Sequence, residues 1–289
     1  RLNVAVAALV ISLLGSLVGQ FGLPGLSQQV ASSQVLRGIE RLTPDAVRHA
    51  MTQTRNAISG AQGIRQLDEL LFPTEAAPDP QDTPDSQVVA DAGQSVVQVY
   101  GTAAQCAQNQ TGSGFVAQPG TVVTNAHVVA GVDQPVVETR DGRVYPAQTV
   151  QYDAASDLAV LRVPDLPEAP LPMQREVSPG ETVSFAGYPL GGPYTLRPAT
   201  IQGEAVAPVQ NVTTGETQTR SIIQIAGNVE QGNSGGPLLD ADGQVVGVVF
   251  AKAVEGEAGY AIPVDRVTEI LASAGDSTAP VPTGQCVAG

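Results

Sequence analysis

The sequence predicts an all-β domain, a barrel or sandwich of short strands, carried behind an apolar N-terminal segment and a short helical stretch. Three observations lead there. From about Gln87 onward, apolar residues recur at the strand period, in short runs bounded by Gly, Pro and Asp turns. Between residues 88 and 264 there is no long helical period. The charge is also divided: residues 1–72 hold six Arg against four acidic side chains, whereas residues 73–289 hold eight Lys or Arg against 24 Asp or Glu.

The N-terminal elements follow from hydropathy and charge. No charged residue lies between Arg1 and Arg37, and Val4–Gly19 is apolar but for Ser12 and Ser16, approaching the roughly 20 residues that cross a bilayer as a helix. A transmembrane helix, a signal-peptide core and a buried or surface helix all fit such a run. The first is the expectation, because no small-x-small cleavage site stands out. Arg1 on one flank then places that end in the cytoplasm and everything downstream outside it. Val35, Leu36, Ile39 and Leu42 fall at helical spacing, and Thr43-Pro44-Asp45 reads as a cap, a first-turn proline and an acidic first turn opening a second helix. Ile64, Leu67, Leu70 and Leu71 suggest a third. His49 in this stretch has no second ligand nearby and reads as a polar-face residue. The expected organisation is a transmembrane helix within 1–27, a helical stalk at 28–72 and a Pro/acidic linker at 73–87.

Strands are expected at 95–101, 112–117 and 121–129. A hairpin turning at Asp141-Gly142 should follow, then strands at 158–163, 182–185, 195–207, 221–225, 237–239 and 245–250. Val264, Val267, Ile270 and Leu271 mark a closing helix over 263–274. Composition excludes several functions. A formal charge of −14 opposes binding along a nucleic-acid backbone, which needs clustered Lys and Arg. Two Cys and two His leave no histidine-rich or four-thiolate metal centre. Neither a cofactor nor a metal is expected.

The chemistry sits in three segments: TNAHVV with His127, DLAVL opening at Asp157, and GNSGGP with Ser234. A hydroxyl nucleophile at neutral pH needs an imidazole base, and the imidazole needs a carboxylate that fixes its tautomer and stabilises its charged form. This chain supplies one of each, at strand ends, in the order His, Asp, Ser. Gly232 lets the backbone aim N–H groups at one point, so the amides of Gly232, Asn233 and Ser234 are the candidate oxyanion site.

With GSGF at Gly112–Phe115 and GYAIPVD at Gly259–Asp265, these motifs resemble the chymotrypsin-fold serine proteases of the HtrA type over roughly 88–274. The resemblance implies a trypsin-like double six-stranded β-barrel, with His127 as general base, Asp157 orienting it and Ser234 as nucleophile. The residues after Ala274 are too few for the PDZ domains typical of HtrA enzymes. The apolar segment, stalk, acidic domain and Cys pair instead resemble the membrane-anchored proteases of acid resistance in actinobacteria. That likeness implies that 1–27 is the last transmembrane helix of a larger membrane domain. It further implies polypeptide substrates of the cell envelope, cut under acid or oxidative stress. In the cytoplasm Cys106 and Cys286 would be unrelated thiols; outside it they are expected to form a disulfide tying the tail, 275–289, back to the domain. Phe250 and Ala251, with no Asp among residues 228–231, favour a small or medium apolar residue before the cleaved bond. The linker is an exposed candidate for self-cleavage. The alternative reading is an inactive, protease-like sensor or binding domain.

Overall fold

The structure, a computed structural model, describes residues 86–211, 216–252 and 258–286. The expected transmembrane helix and stalk, and the linker up to residue 85, lie outside the described residues. Among the described residues no helix is long and apolar enough to cross a membrane.

A six-residue helix, α1 (Gln87–Ala92), leads into thirteen strands, and α2 (Val264–Ala274) follows them. The first seven strands are β1 (Val96–Ala103), β2 (Gln108–Gln118), β3 (Thr121–Thr124), β4 (Val136–Glu138), β5 (Val144–Pro146), β6 (Gln148–Asp153) and β7 (Leu158–Arg162). They form one sheet in the order β5-β4-β1-β2-β3-β7-β6. The other six are β8 (Thr182–Gly187), β9 (Thr195–Gln210), β10 (Thr217–Ala226), β11 (Pro237–Leu239), β12 (Val245–Lys252) and β13 (Ala258–Pro263). These pair in a ring, β10-β13-β12-β11-β8-β9, that closes through the long β9–β10 hairpin.

The fold class implied by resemblance is therefore corrected. The domain is all-β and two-part, but only its second half is a six-stranded barrel. The first half is an open seven-stranded sheet, because its terminal strands β5 and β6 pair on one side only. Two local expectations also change. The strand expected through residue 129 stops at Thr124 and gives way to a 3-10 turn at Ala126–Val128, and residues 87–92, expected to begin the strand region, are helical.

One apolar cluster crosses the boundary between the halves. Phe115, Leu158 and Val160 from the sheet pack with Leu239, Val248, Tyr260 and Ile262 from the barrel and with Val267, Ile270 and Leu271 of α2. Each such side chain, fully buried, stabilises the fold by roughly 1.5–3 kcal/mol. The cluster fixes the halves against one another, so side chains at their facing strand ends can form one site.

Cys106 and Cys286 are joined by a disulfide with a Cα–Cα distance of 6.5 Å.

Candidate active site

His127 lies in the 3-10 turn after β3, and Asp157 immediately precedes β7, the neighbour of β3. The two segments are tied at several points. The Asp157 carbonyl accepts the Ala126 N–H at 3.1 Å and the Asn125 side-chain amide at 2.8 Å. Its carboxylate accepts the His127 backbone N–H at 3.0 Å and faces Nδ1 of the ring, with Oδ2 at 2.9 Å. Serving both purposes puts Asp157 at φ +58°, a left-handed conformation that Asp tolerates better than most residues. The Asp157 side chain is 3% exposed and that of His127 23%, so the carboxylate is sealed while the ring keeps one edge open to solvent. A carboxylate on Nδ1 leaves Nε2 of a neutral imidazole as the acceptor.

Ser234 arrives from the other half, in the turn before β11. Its Oγ donates to the Phe250 carbonyl at 3.4 Å, and among the described residues it makes no hydrogen bond to His127. Catalytic hydrogen bonds are often long or unmade before substrate binds.

The turn carrying Ser234 is fixed one peptide plane at a time. In a trans peptide, C=O and N–H point in opposite directions. The Gln231 carbonyl accepts the Leu190 N–H at 2.6 Å, which aims the Gly232 N–H away from the 188–192 loop. The Asn233 carbonyl accepts the Gly236 N–H at 2.9 Å, which aims the Ser234 N–H away from that contact. Among the described residues neither the Gly232 nor the Ser234 N–H has an internal acceptor. The Asn233 N–H, the third candidate, is instead drawn onto the Glu230 carbonyl at 3.0 Å, while its side-chain oxygen accepts the Glu230 N–H at 2.9 Å. Asn233 thus braces the turn, and two amides remain to bind a developing negative charge. Gly232 sits at φ +95°, and a Cβ there would come within 2.4 Å of the Tyr188 carbonyl oxygen.

Two further residues belong to this neighbourhood. Arg220, on β10, lays its guanidinium over the Phe250 ring at 4.5 Å and reaches the Ala155 carbonyl at 3.4 Å. Its Nε is buried with no acceptor among the described residues. Burial pushes the Arg220 guanidinium below its ordinary pKa, against the opposing pull of Asp157 and Asp153. Ser113, on β2, is fully buried beneath the Ser234 turn. Arg220 does not announce itself in the sequence, and Ser113, although it lies within the GSGF motif, carries there no sign of a role. Among the described residues no group of acidic, Cys and His side chains is placed to hold a metal ion.

Comparison with known proteins agrees with this geometry. The family model for the trypsin-like peptidase domain matches residues 112–248. The chain is 37% identical over 272 residues to the serine protease Rv3671c of Mycobacterium tuberculosis, spanning 91% of this chain and 67% of that protein. It is 31% identical over 225 residues to the serine endoprotease DegS of Escherichia coli, spanning 72% of this chain and 62% of that one. The structure of Rv3671c protease in its active form superposes with a TM-score of 0.70 at 39% identity, covering 76% of this chain and 98% of the other. The inactive form gives 0.61 at 38% identity, covering 71% and 100%.

Proposed function

The chain belongs to the trypsin-like serine peptidases of the HtrA type, and from that membership we propose that Ser234 is its nucleophile, His127 the general base and Asp157 the residue that orients the ring. It is a serine endopeptidase. The observation that carries the assignment of roles is the meeting of a sealed His127–Asp157 pair with two unengaged amides, of Gly232 and Ser234, in one turn.

In the reaction Oγ of Ser234 leaves the Phe250 carbonyl and gives its hydrogen bond to Nε2 of His127. The ring takes the hydroxyl proton as Oγ attacks the peptide carbonyl, and Asp157 stabilises the imidazolium that results. The carbonyl oxygen, now negative, accepts the N–H groups of Gly232 and Ser234; such donors contribute on the order of 3 kcal/mol each. Collapse expels the amine, which takes the proton from His127 and leaves an acyl-enzyme. Water then attacks with His127 again as base. The orientation of the Gln231–Gly232 peptide favours an assembled oxyanion site.

The protease domain, residues 88–274, works outside the cytoplasm on a chain anchored to the membrane. The long uncharged apolar run upstream supports this, as does the disulfide, a bond that persists in oxidising compartments. Its substrates are proteins of the cell envelope, processed under acid or oxidative stress, and the acidic linker is a site of self-cleavage. The residue before the cleaved bond is small or medium and apolar. Glu230, the acid within 228–231, is held by Arg197 at 2.9 Å and so is not free to bind a basic side chain.

A labelled fluorophosphonate applied to the purified chain and to Ser234→Ala tests the assignment. The parent should label and the variant should not. Labelling of the variant would overturn Ser234 as nucleophile, and no labelling of either would favour the sensor or binding-domain reading.

A further inference from the structure

We infer that Ser113 is the positioning residue of the oxyanion site, holding the Gly232 peptide planes from the opposite half of the domain; the inference rests on the reading of Ser234 and Gly232 given above. Ser113 has no solvent exposure. Its hydroxyl lies 2.6 Å from the Gly232 carbonyl and 2.9 Å from the Tyr188 nitrogen. The Tyr188 N–H can only donate and the Gly232 carbonyl can only accept, so the hydroxyl proton must point at Gly232. The backbone of the same residue binds the turn again, its N–H donating to the Ser234 carbonyl at 2.8 Å.

The consequence for catalysis comes from the backbone of Gly232. A glycine at φ +95° has little steric barrier to rotation, so only hydrogen bonds hold its two flanking planes. The plane before it is pinned by Leu190 and the plane after it by Ser113, while the Asn233 N–H of that second plane is satisfied within the turn. Ser113 is the one side chain among these anchors. Through Tyr188 it also holds the loop that carries Leu190, so one hydroxyl steadies both planes. Without it, the Gly232 carbonyl and the Tyr188 N–H are buried without partners. The turn relieves that by rotating about Gly232, which swings the Gly232 N–H off the point where the oxyanion forms.

A residue that only supports the fold would not produce a selective loss in the transition state. The test compares Ser113→Ala with Thr124→Val. Thr124 is equally buried and donates to the Ser113 carbonyl at 2.7 Å, but it makes no hydrogen bond to the turn. For each variant kcat and KM on a peptide substrate, affinity for a peptide boronic acid and Tm are measured. A boronic acid becomes tetrahedral on the nucleophile and places an oxygen at the oxyanion position. Ser113→Ala should lower kcat by roughly 100-fold with KM within about twofold, and weaken the boronic acid by a similar factor. Thr124→Val should lower Tm while kcat and boronic acid affinity stay close to the parent. Parental kcat and boronic acid affinity in Ser113→Ala would overturn the inference while leaving the protease reading intact. So would equal losses in both variants at matched Tm. Hydrolysis that persists in Ser234→Ala would remove the protease reading, and the inference with it.

Discussion

The first seven strands leave two sheet edges, β5 and β6, whereas the six strands of the second half pair all the way round and leave none. An unpaired edge exposes a row of N–H and C=O groups, and closure removes it. The open half meets the problem at β6 with chain borrowed from the C-terminus. Helix α2 packs on β6 and β7, and beyond it the Val281 N–H donates to the Thr149 carbonyl of β6 at 2.8 Å. The Gly131 N–H then donates to the Thr283 carbonyl at 3.2 Å, the Thr283 hydroxyl to the Val132 carbonyl at 3.2 Å, and Cys286 closes on Cys106. The site is divided along the same line. The open half holds the His127–Asp157 pair by hydrogen bonds between neighbouring segments, and the barrel holds Ser234 in a turn braced from outside. The proposed base therefore depends on a strapped sheet, and the proposed nucleophile on a glycine turn.

Gly232→Ala should have the largest effect. At φ +95° an alanine is strained, and its Cβ would press to 2.4 Å from the Tyr188 oxygen and 2.7 Å from the Leu190 nitrogen. The turn must move, and kcat should fall by about 100- to 1,000-fold, the range for losing an oxyanion donor. Amide chemical shifts around His127 and Asp157 should stay in place. If they move as far as those of the turn, the two halves of the site are not independently held. Cys286→Ser comes next, since it releases the strap across a sequence separation of 180 residues. Urea unfolding should show a loss of roughly 2–4 kcal/mol. Hydrogen exchange should accelerate first in β6 and residues 129–132, while the barrel keeps its protection; uniform acceleration would refute the unequal dependence of the halves on the tail.

Much of this division could be read in the sequence only in part. Alternating strands and turn glycines such as Gly142 and Gly243 are local signals, and the strand boundaries followed within a few residues. His127, Asp157 and Ser234 stood out because each has a motif around it. Whether a sheet closes depends instead on pairing between distant strands, which no window of sequence contains. The strand expected through residue 129 failed for a related reason: the Asp157 carbonyl, distant in sequence, takes the Asn125 side chain and the Ala126 N–H, and the chain turns into a 3-10 helix at Ala126. Arg220 escaped for want of any local mark and Ser113, though inside GSGF, for want of any sign of its role, their partners Ala155 and Gly232 lying 65 and 119 residues away.

Arg220 sharpens the comparison in another way, because it is a barrel residue acting on the pair that the sheet holds. Its cation lies in the field of the Asp157 and Asp153 carboxylates, and its guanidinium ties the barrel to the Ala155 carbonyl, two residues before Asp157. Arg220→Met keeps apolar contact with Phe250 and removes the charge. A methionine cannot reach the Ala155 carbonyl, so the turn leading into Asp157 loses a tie to the barrel, and kcat should fall by roughly two- to fivefold. An unchanged kcat would mean that this tie does not reach Asp157, and that the barrel influences the His127–Asp157 pair only through the position of Ser234.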